Sequence, residues 1–260
     1  MEDFLKISNL TKRYKDRIVL NGIDFTVGQG EFVSILGPSG CGKTTLLNLL
    51  IGILKPDSGK IFKNGEDITN FKPSDRKMGI VFQNYALFPS MTVLRNVEYA
   101  LSIRKETRAC ARDIAMDLLD KVGLSEHLYK KPAKLSGGQQ QRVAIARTLA
   151  LSPDIILFDE PMSALDVTTR LMMRDEIKRI QKDTNITIIF ITHDQEEAFS
   201  MSDRIIVMGE NSGNIEQYDT PATIAKYPAT AYVENFVVKQ IEKKIETLSH
   251  FVEVKHDCAN

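Results

Sequence analysis

The segment from Gly37 to Thr45 has the residue types and spacing needed to hold a chain of phosphates. It reads Gly-Pro-Ser-Gly-Cys-Gly-Lys-Thr-Thr and matches the phosphate-loop pattern. Glycines let backbone N–H groups approach phosphate oxygens, Lys43 supplies a positive charge, and the Thr44 hydroxyl can ligate Mg²⁺. The candidate phosphate-binding residues are Gly37, Pro38, Ser39, Gly40, Cys41, Gly42, Lys43, Thr44 and Thr45.

The residues on either side of this segment decide between a phosphate site and a glycine-rich turn without a ligand. Phe32 to Leu36 is an apolar run typical of a buried strand, and Leu46 to Ile51 is typical of a helix. A glycine-rich loop between a strand and a helix places unpaired N–H groups and the positive end of the helix dipole at the loop. The sequence therefore predicts a nucleoside triphosphate site.

Acidic and polar residues follow three apolar runs at the points where strands are predicted to end. Asp159 and Glu160 follow Ile-Ile-Leu-Phe, and Gln83 and His193 each follow another apolar run. In a parallel sheet the carboxyl ends of the strands face the ligand crevice. Hydrolysis of a triphosphate needs a metal site and a positioned water, for which Asp159 and Glu160 are suited. The alternatives are a solvated acidic turn and purely structural roles for Gln83 and His193.

Two further features could contact a nucleotide. Ser136 is followed by two glycines at a predicted helix start, which makes a second helix end ready to bind an anion. Tyr14 could stack on a purine, although a tyrosine in that position more often covers a sheet.

Composition excludes several classes of protein. Lys+Arg and Asp+Glu both total 34 in 260 residues, so the net charge is zero and the overall charge gives no basic footprint for nucleic acid. No basic-then-apolar leader and no apolar run of membrane-spanning length is visible. The cysteines Cys41, Cys110 and Cys258 are odd in number and lack metal-ligand spacing. These features predict a soluble, intracellular protein with no nucleic acid partner. The alternative is a local basic patch, which the overall charge does not test.

The apolar pattern predicts an α/β fold with a phosphate-loop NTPase core. Apolar runs separated by helical segments favour a mostly parallel sheet covered on both faces. The opening third predicts an antiparallel β subdomain, since two alternating strands are followed by a hairpin at Asn64-Gly65. A helical subdomain of about 84–140, helical from about 93 to 122, is inserted in the core. The apolar residues Val237, Ile241, Ile245, Leu248 and Val252 predict an amphipathic tail helix, which either caps the body or meets a partner.

Taken together, these motifs resemble the ATP-binding cassette ATPases of ABC transporters. The most specific element is the Leu-Ser-Gly-Gly-Gln segment from Leu135 to Gln139, which other phosphate-loop NTPases lack. The phosphate loop, Gln83, the strand ending at Glu160, the Ser-Ala-Leu-Asp segment ending at Asp166, and His193 follow the family's order. The resemblance covers residues 5 to about 236, so we predict a cassette domain over 1–236 and a helical tail over 237–260.

The resemblance implies roles for the individual site residues. Tyr14 would stack on adenine and Lys43 would bind the phosphates of ATP. Glu160 would be the general base, and His193 would contact the γ-phosphate, with Gln83 also in the catalytic centre. The expected Mg²⁺ ligands are Thr44, Gln83 and Asp159. The residues expected to complete the site on the opposite subunit of a head-to-tail dimer are Ser136, Gly138, Gln139 and Asp166.

Residues 83–89 and 193–198 are most similar to the importer branch that serves polyamines, ferric iron, oxyanions, phosphonates and sugars. The resemblance implies a dimer of identical or paired cassette subunits, a permease docked near Gln83 and the helical insert, and an indirect link to an extracytoplasmic substrate-binding protein. The chain is then expected on the cytoplasmic face of the cell membrane, as a peripheral subunit. Many branch members carry an added β-rich regulatory domain, and regulation of that kind is not expected here.

Two other classes of function fit the sequence less well than a transporter ATPase. Soluble cassette proteins that act on DNA or ribosomes generally have two cassettes, a long coiled-coil insertion or zinc-binding cysteines, and the sequence has none of these. A regulatory module without turnover would be expected to lack Glu160 or the segment from Leu135 to Gln139, and both are present.

Overall fold

A computed structural model describes residues 3–15, 17–210 and 213–247, in which strands and helices alternate. The strands are β1 (Leu5–Tyr14), β2 (Arg17–Val27), β3 (Phe32–Leu36), β4 (Ser58–Lys63), β5 (Glu66–Asp67), β6 (Met78–Val81), β7 (Ile155–Asp159), β8 (Thr187–Thr192), β9 (Arg204–Met208) and β10 (Ile215–Asp219). The helices are α1 (Lys43–Ile51), α2 (Val93–Ile103), α3 (Ala111–Lys121), α4 (Gly137–Leu149), α5 (Val167–Thr184), α6 (Gln195–Met201), α7 (Pro221–Lys226) and α8, which begins at Ala231–Val233, continues through a π-helical turn at Glu234–Val238 and stays helical to 247.

The larger sheet confirms the predicted mostly parallel core. Its strand order is β10-β9-β3-β8-β7-β6, and all neighbouring pairs are parallel except the one between β10 and β9. Every residue of β3 and β8 is buried, as expected for central strands covered on both faces. The register pairs Leu36 with Thr192, Ile191 with Asp159, and Phe158 with Val81. The carboxyl ends of four strands therefore meet along one edge.

The smaller sheet is the predicted antiparallel subdomain. Its order is β2-β1-β4-β5, and its pairs are antiparallel. β4 and β5 are joined at Asn64 and Gly65, whose φ angles of 50° and 77° suit the tight hairpin turn that the dipeptide indicates. Leu5 and Ile61 of this sheet share one hydrophobic cluster with Leu46 of α1. The first sheet strands and the phosphate-loop helix are thereby fixed to each other.

The helical insert consists of two helices rather than one continuous stretch. α2 ends at Ile103 and α3 begins at Ala111, so the expected helical segment is interrupted at 104–110. α2, α3 and α4 share a second cluster, to which they contribute Val97, Leu119 and Val143. The limits of the insert as a subdomain stay a prediction.

The tail helix is present over the described residues. Val237 is buried in a cluster with Leu36 and Ala198, while Ile245 is 61% exposed. The first half of α8 therefore caps the body of the protein, and residues 242–247 are exposed. Leu248 and Val252 lie outside the described residues. Within residues 3–15, 17–210 and 213–247, the helices are all too short or too polar to cross a membrane.

Candidate nucleotide-binding and catalytic site

The phosphate loop joins the end of β3 to the start of α1 and depends on backbone conformations that glycine adopts freely. Gly40 and Gly42 have φ angles of 82° and 108°. A Cβ on Gly42 would lie 2.9 Å from the backbone oxygen of Val19, which cannot move away. The spacing of the glycines is therefore a steric requirement of this loop, and the N-terminus of α1 is free to face an anion.

Lys43 is held against the loop by specific contacts. Its side chain is 5% exposed, and its Nζ donates hydrogen bonds to the carbonyls of Gly37 at 2.7 Å and Pro38 at 2.8 Å. The same Nζ lies 3.8 Å from Oε1 of Glu160. The ammonium group is thereby placed between the loop and the end of β7, at the edge where the strands end.

The loop and the strand ends enclose a cavity of about 450 Å³. It is lined by Val19, Ser39, Gly40, Gly42, Lys43, Thr44, Thr45, Gln83, Asp159 and Glu160. The structure thus brings most of the predicted phosphate-loop residues together with both strand-end acids and Gln83. The volume is within the range typical of small-molecule sites.

Asp159 is a partly buried carboxylate beside a second one. Its Oδ1 lies 3.5 Å from Oγ1 of Thr44. Burial raises the pKa of Asp159, and the neighbouring charge of Glu160 raises this pKa further. A carboxylate in that environment is stabilised by any cation that binds next to it.

Glu160 has an uncommon backbone conformation, and its carboxylate contacts a side chain at each of its two oxygens. Its φ is 44°, which is sparsely populated for residues other than glycine, and its N–H donates to the carbonyl of Ile191 at 3.1 Å. Oε2 lies 3.0 Å from Nδ1 of His193, and Oε1 faces Lys43. The carboxylate therefore sits where the ends of β7 and β8 meet the phosphate loop.

Ser163 is a site contact that sequence reasoning did not single out. Its hydroxyl accepts a hydrogen bond from Nε2 of Gln83 at 3.0 Å and donates to the carbonyl of Glu160 at 3.0 Å. It thereby joins the ends of β6 and β7. The available signal was its place at the start of the Ser-Ala-Leu-Asp segment, but that motif alone does not predict the contact.

Ser136 marks a second helix start, and it is exposed. The Ser136 hydroxyl accepts from the N–H of Gln139 at 3.3 Å, and the Gln139 side chain accepts from the N–H of Ser136 at 3.0 Å, so the two form a capping box. Gly138 is required by packing, because a Cβ there would lie 2.8 Å from Cγ2 of Thr169. Neither Ser136 nor Gln139 lines the cavity at the phosphate loop.

Asp166 caps the start of α5, as Ser136 caps the start of α4. Its carboxylate accepts from the backbone N–H and the hydroxyl of Thr169 at 3.0 and 2.7 Å. These hydrogen bonds lower the pKa of Asp166, which is exposed. Because Thr169 also lies against Gly138, the starts of α4 and α5 are neighbours. Asp166 is exposed and Gly138 is buried, and neither residue lines the phosphate-loop cavity.

Tyr14 is exposed at the end of a strand, whereas Cys41 is buried in the phosphate loop. Tyr14 ends β1 with 46% of its side chain exposed, and Nζ of Lys12 lies 5.8 Å from its ring centroid. Cys41 is buried, burial raises the pKa of its thiol, and its Sγ lies 2.8 Å from where a Cβ on Gly37 would be. Cys41 therefore fills space behind the loop, and the ring of Tyr14 is about half exposed with Lys12 over it.

A family model described as ABC transporter matches residues 20–163. The chain belongs to the ABC transporter family. The matched part includes the phosphate loop, Gln83, the helix start at Ser136, and Glu160. The family assignment rests on this match.

Known relatives of this ABC transporter family member agree with that assignment. A spermidine/putrescine import ATP-binding protein of Mycoplasma capricolum is 47% identical over 90% of the chain, and a sulfate/thiosulfate import ATP-binding protein of Chromobacterium violaceum is 48% identical over 91%. The alignments cover 66% and 64% of those proteins, so the chain spans just under two thirds of the length of the relatives it matches. A solved ATP-binding cassette, dimeric in a post-hydrolysis state with ADP and Pi, has a TM-score of 0.73 and 35% identity, and the match covers 84% of the chain and 98% of the cassette.

Proposed function

We propose that the chain is the ATP-hydrolysing, nucleotide-binding subunit of an ABC importer. The observation that carries the proposal is the contact of Glu160 with both Lys43 and His193 at the mouth of the phosphate-loop cavity. A lysine suited to bind phosphate, a carboxylate able to accept a proton and an imidazole that orients the carboxylate are groups that can serve triphosphate hydrolysis. The import ATP-binding proteins among the relatives support the same function.

ATP would bind with its phosphates on the loop and its base near Tyr14. The N–H groups from Ser39 to Thr45 and the start of α1 provide donors for the phosphate oxygens. Lys43 contributes the charge, and its Nζ would exchange its hydrogen bonds to the Gly37 and Pro38 carbonyls for bonds to phosphate oxygens. The exposed ring of Tyr14 would stack on adenine.

The residues at the cavity also fit a magnesium ion. Thr44, Gln83 and Asp159 offer a hydroxyl, an amide and a carboxylate, which are the oxygen ligands that Mg²⁺ accepts when substrate phosphates complete its shell. The raised pKa of Asp159 shows that its negative charge is poorly compensated, and a cation beside it would supply that compensation. When bound, Mg²⁺ would offset charge on the phosphate oxygens.

Glu160 would act as the general base. As the water oxygen attacks the γ-phosphorus, one water proton passes to the Glu160 carboxylate and the bond to the β-phosphate oxygen breaks, leaving ADP and phosphate. His193 holds Oε2 of Glu160 and would also contact the γ-phosphate. Ser163 fixes the backbone of Glu160 and the amide of Gln83.

The second half of each site would come from a second cassette subunit, identical or paired. Ser136, Gly138, Gln139 and Asp166 are grouped at the starts of α4 and α5. They would reach the γ-phosphate of a nucleotide bound to the partner in a head-to-tail dimer. Closure of the dimer and hydrolysis are then linked.

The proposed complex places the chain on the cytoplasmic face of the cell membrane as a peripheral subunit. A permease would dock near Gln83 and the helical insert, and it would receive substrate from an extracytoplasmic binding protein. The relatives named for polyamine and for sulfate import indicate the substrate classes to test first.

Affinity purification from the native cell tests this function. A tagged chain is expected to bring down integral membrane proteins of permease type, and the complex should hydrolyse ATP in the presence of Mg²⁺. Recovery of nucleic acid or ribosomes with no membrane protein would instead favour a soluble cassette protein.

Replacing Tyr14 with alanine should weaken ATP binding with little effect on turnover at saturation. Stacking of one base on an aromatic side chain contributes about 1–3 kcal/mol, so we expect roughly a tenfold rise in the Kd for ATP. Titration with a fluorescent ATP analogue gives the Kd. Tyr14→Phe keeps the ring and should bind as the wild type does, whereas equal loss in both variants would contradict stacking.

A further inference from the structure

Arg170 of α5 lies between two loops that the proposed mechanism uses. One of its Nη atoms donates to the carbonyl of Leu165 at 3.2 Å, beside Asp166. The other Nη atom lies 3.8 Å from Oδ2 of Asp194, and Nε lies 3.7 Å from Oε1 of Glu197. Asp194 directly follows His193. One guanidinium group therefore contacts both the loop before α5 and the start of α6.

The carboxylates that Arg170 faces belong to a network that fixes the backbone around His193. The Thr192 hydroxyl donates to Oε2 of Glu197 at 2.6 Å and accepts from the N–H of Asp194 at 3.0 Å. Glu197 is 6% exposed. Nζ of Lys244 lies 3.6 Å from the other oxygen of Asp194. Movement of Asp194 or Glu197 must therefore carry the loop that bears His193.

The contacts of Arg170 with these carboxylates are close enough for attraction and too long for hydrogen bonds. Charge-assisted N–H···O bonds measure about 2.7–2.9 Å, so a movement of about 1 Å would form them. A cavity of about 40 Å³, lined by Arg170 together with Glu160 and His193, provides room for that movement. The structure shows the looser arrangement, and a shift of the guanidinium into this space would give the tighter one.

We propose that Arg170 is a positioning residue that transmits the position of the Asp166 loop to His193. The inference rests on the proposed function, in which Asp166 faces a second subunit and His193 faces the γ-phosphate. Pressure of the second subunit on the Asp166 loop moves the Leu165 carbonyl and the guanidinium bonded to it. Arg170 then draws Asp194 and Glu197 closer, and His193 moves with them.

The test compares Arg170→Gln with Arg174→Gln as a matched control. Arg174 lies one turn further along α5 and pairs with Glu196 of α6 at 3.2 Å. Arg174→Gln therefore also removes one positive charge from α5 and one ion pair between α5 and α6. We expect Arg170→Gln to lower kcat at least about tenfold, since misplacement by 1 Å can cost about a hundredfold. The KM for ATP should stay within about twofold, because ground-state binding is unchanged. Arg174→Gln should match the wild type, and Arg170→Lys should recover part of kcat.

A double-mutant cycle separates positioning from a general loss of structure. If Arg170 acts through Glu197, the Arg170→Gln/Glu197→Gln enzyme should be no more than about twofold slower than Arg170→Gln alone. Three results would overturn the inference. The first is a double variant whose loss of kcat is the product of the two single losses, and the second is an unchanged kcat in Arg170→Gln. The third is a loss of kcat that a lower folded fraction in thermal unfolding explains. An inactive wild type would instead remove the proposed function itself. With an active wild type, every result bears on Arg170 alone.

Discussion

Replacing Glu160 with glutamine is expected to stop ATP hydrolysis while leaving ATP binding intact. The amide has the size of the carboxylate but cannot accept a proton from water, and positioned proton transfer contributes about 10²–10⁴-fold to such reactions. The remaining turnover should therefore be at most about one hundredth of the wild-type value. Since the proposed site closes around ATP and opens after hydrolysis, the variant should accumulate as a dimer when ATP is added. Phosphate release and gel filtration with and without ATP measure the two effects.

Glu196→Gln is the matched control for that experiment. Glu196 lies on α6 with 64% of its side chain exposed, outside the cavity lining, so the same chemical change should leave turnover unaltered. Wild-type turnover in Glu160→Gln would reject the general-base role. A slow Glu160→Gln enzyme that also fails to bind ATP would point to collapse of the Lys43 contact instead.

The fold could be predicted where the sequence pattern records burial. β3 and β8 are buried along their whole length, and both are continuous apolar runs. The sequence does not predict β10, because Ile-Glu-Gln-Tyr-Asp lacks apolar alternation, and all five residues are half-buried in the structure. The sequence also does not predict the interruption between α2 and α3. It is stabilised by the Thr107 hydroxyl, which donates to the Leu101 carbonyl, whereas the charged residues there are good helix formers.

The residue types of the site could be predicted, but most of its contacts could not. Gln83, Glu160 and His193 follow separate strands, and parallel pairing is enough to bring them to one edge. The bonds of Lys43 to its own loop and the link through Ser163 depend on the conformations of the loops that follow the strands. The local sequence patterns do not specify those loop conformations. The contacts of Arg170 are even harder to predict from local sequence. Its partner Leu165 lies about five positions away in the sequence, and Asp194 lies more than twenty positions away.

The dimer hypothesis makes the other large prediction, which concerns Ser136. Ser136→Arg should abolish turnover, because a bulky cation would occupy the space that the partner's γ-phosphate needs. Ser136 is exposed and lies outside the cavity lining, so the change should leave ATP binding to the isolated chain unaltered. Lys43→Ala should abolish turnover for a different reason, loss of the phosphate-binding charge.

Mixing the two inactive variants tests whether each site is shared between subunits. A mixed dimer pairs the intact loop of the Ser136→Arg chain with the intact helix start of the Lys43→Ala chain, so one complete site forms. With random pairing and independent sites, an equal mixture should recover about one quarter of wild-type turnover, as the symmetry of a two-site dimer requires. Each variant mixed with itself should stay inactive. A mixture as inactive as its parents, with mixed dimers present by native mass spectrometry, would mean that Ser136 does not complete the partner's site.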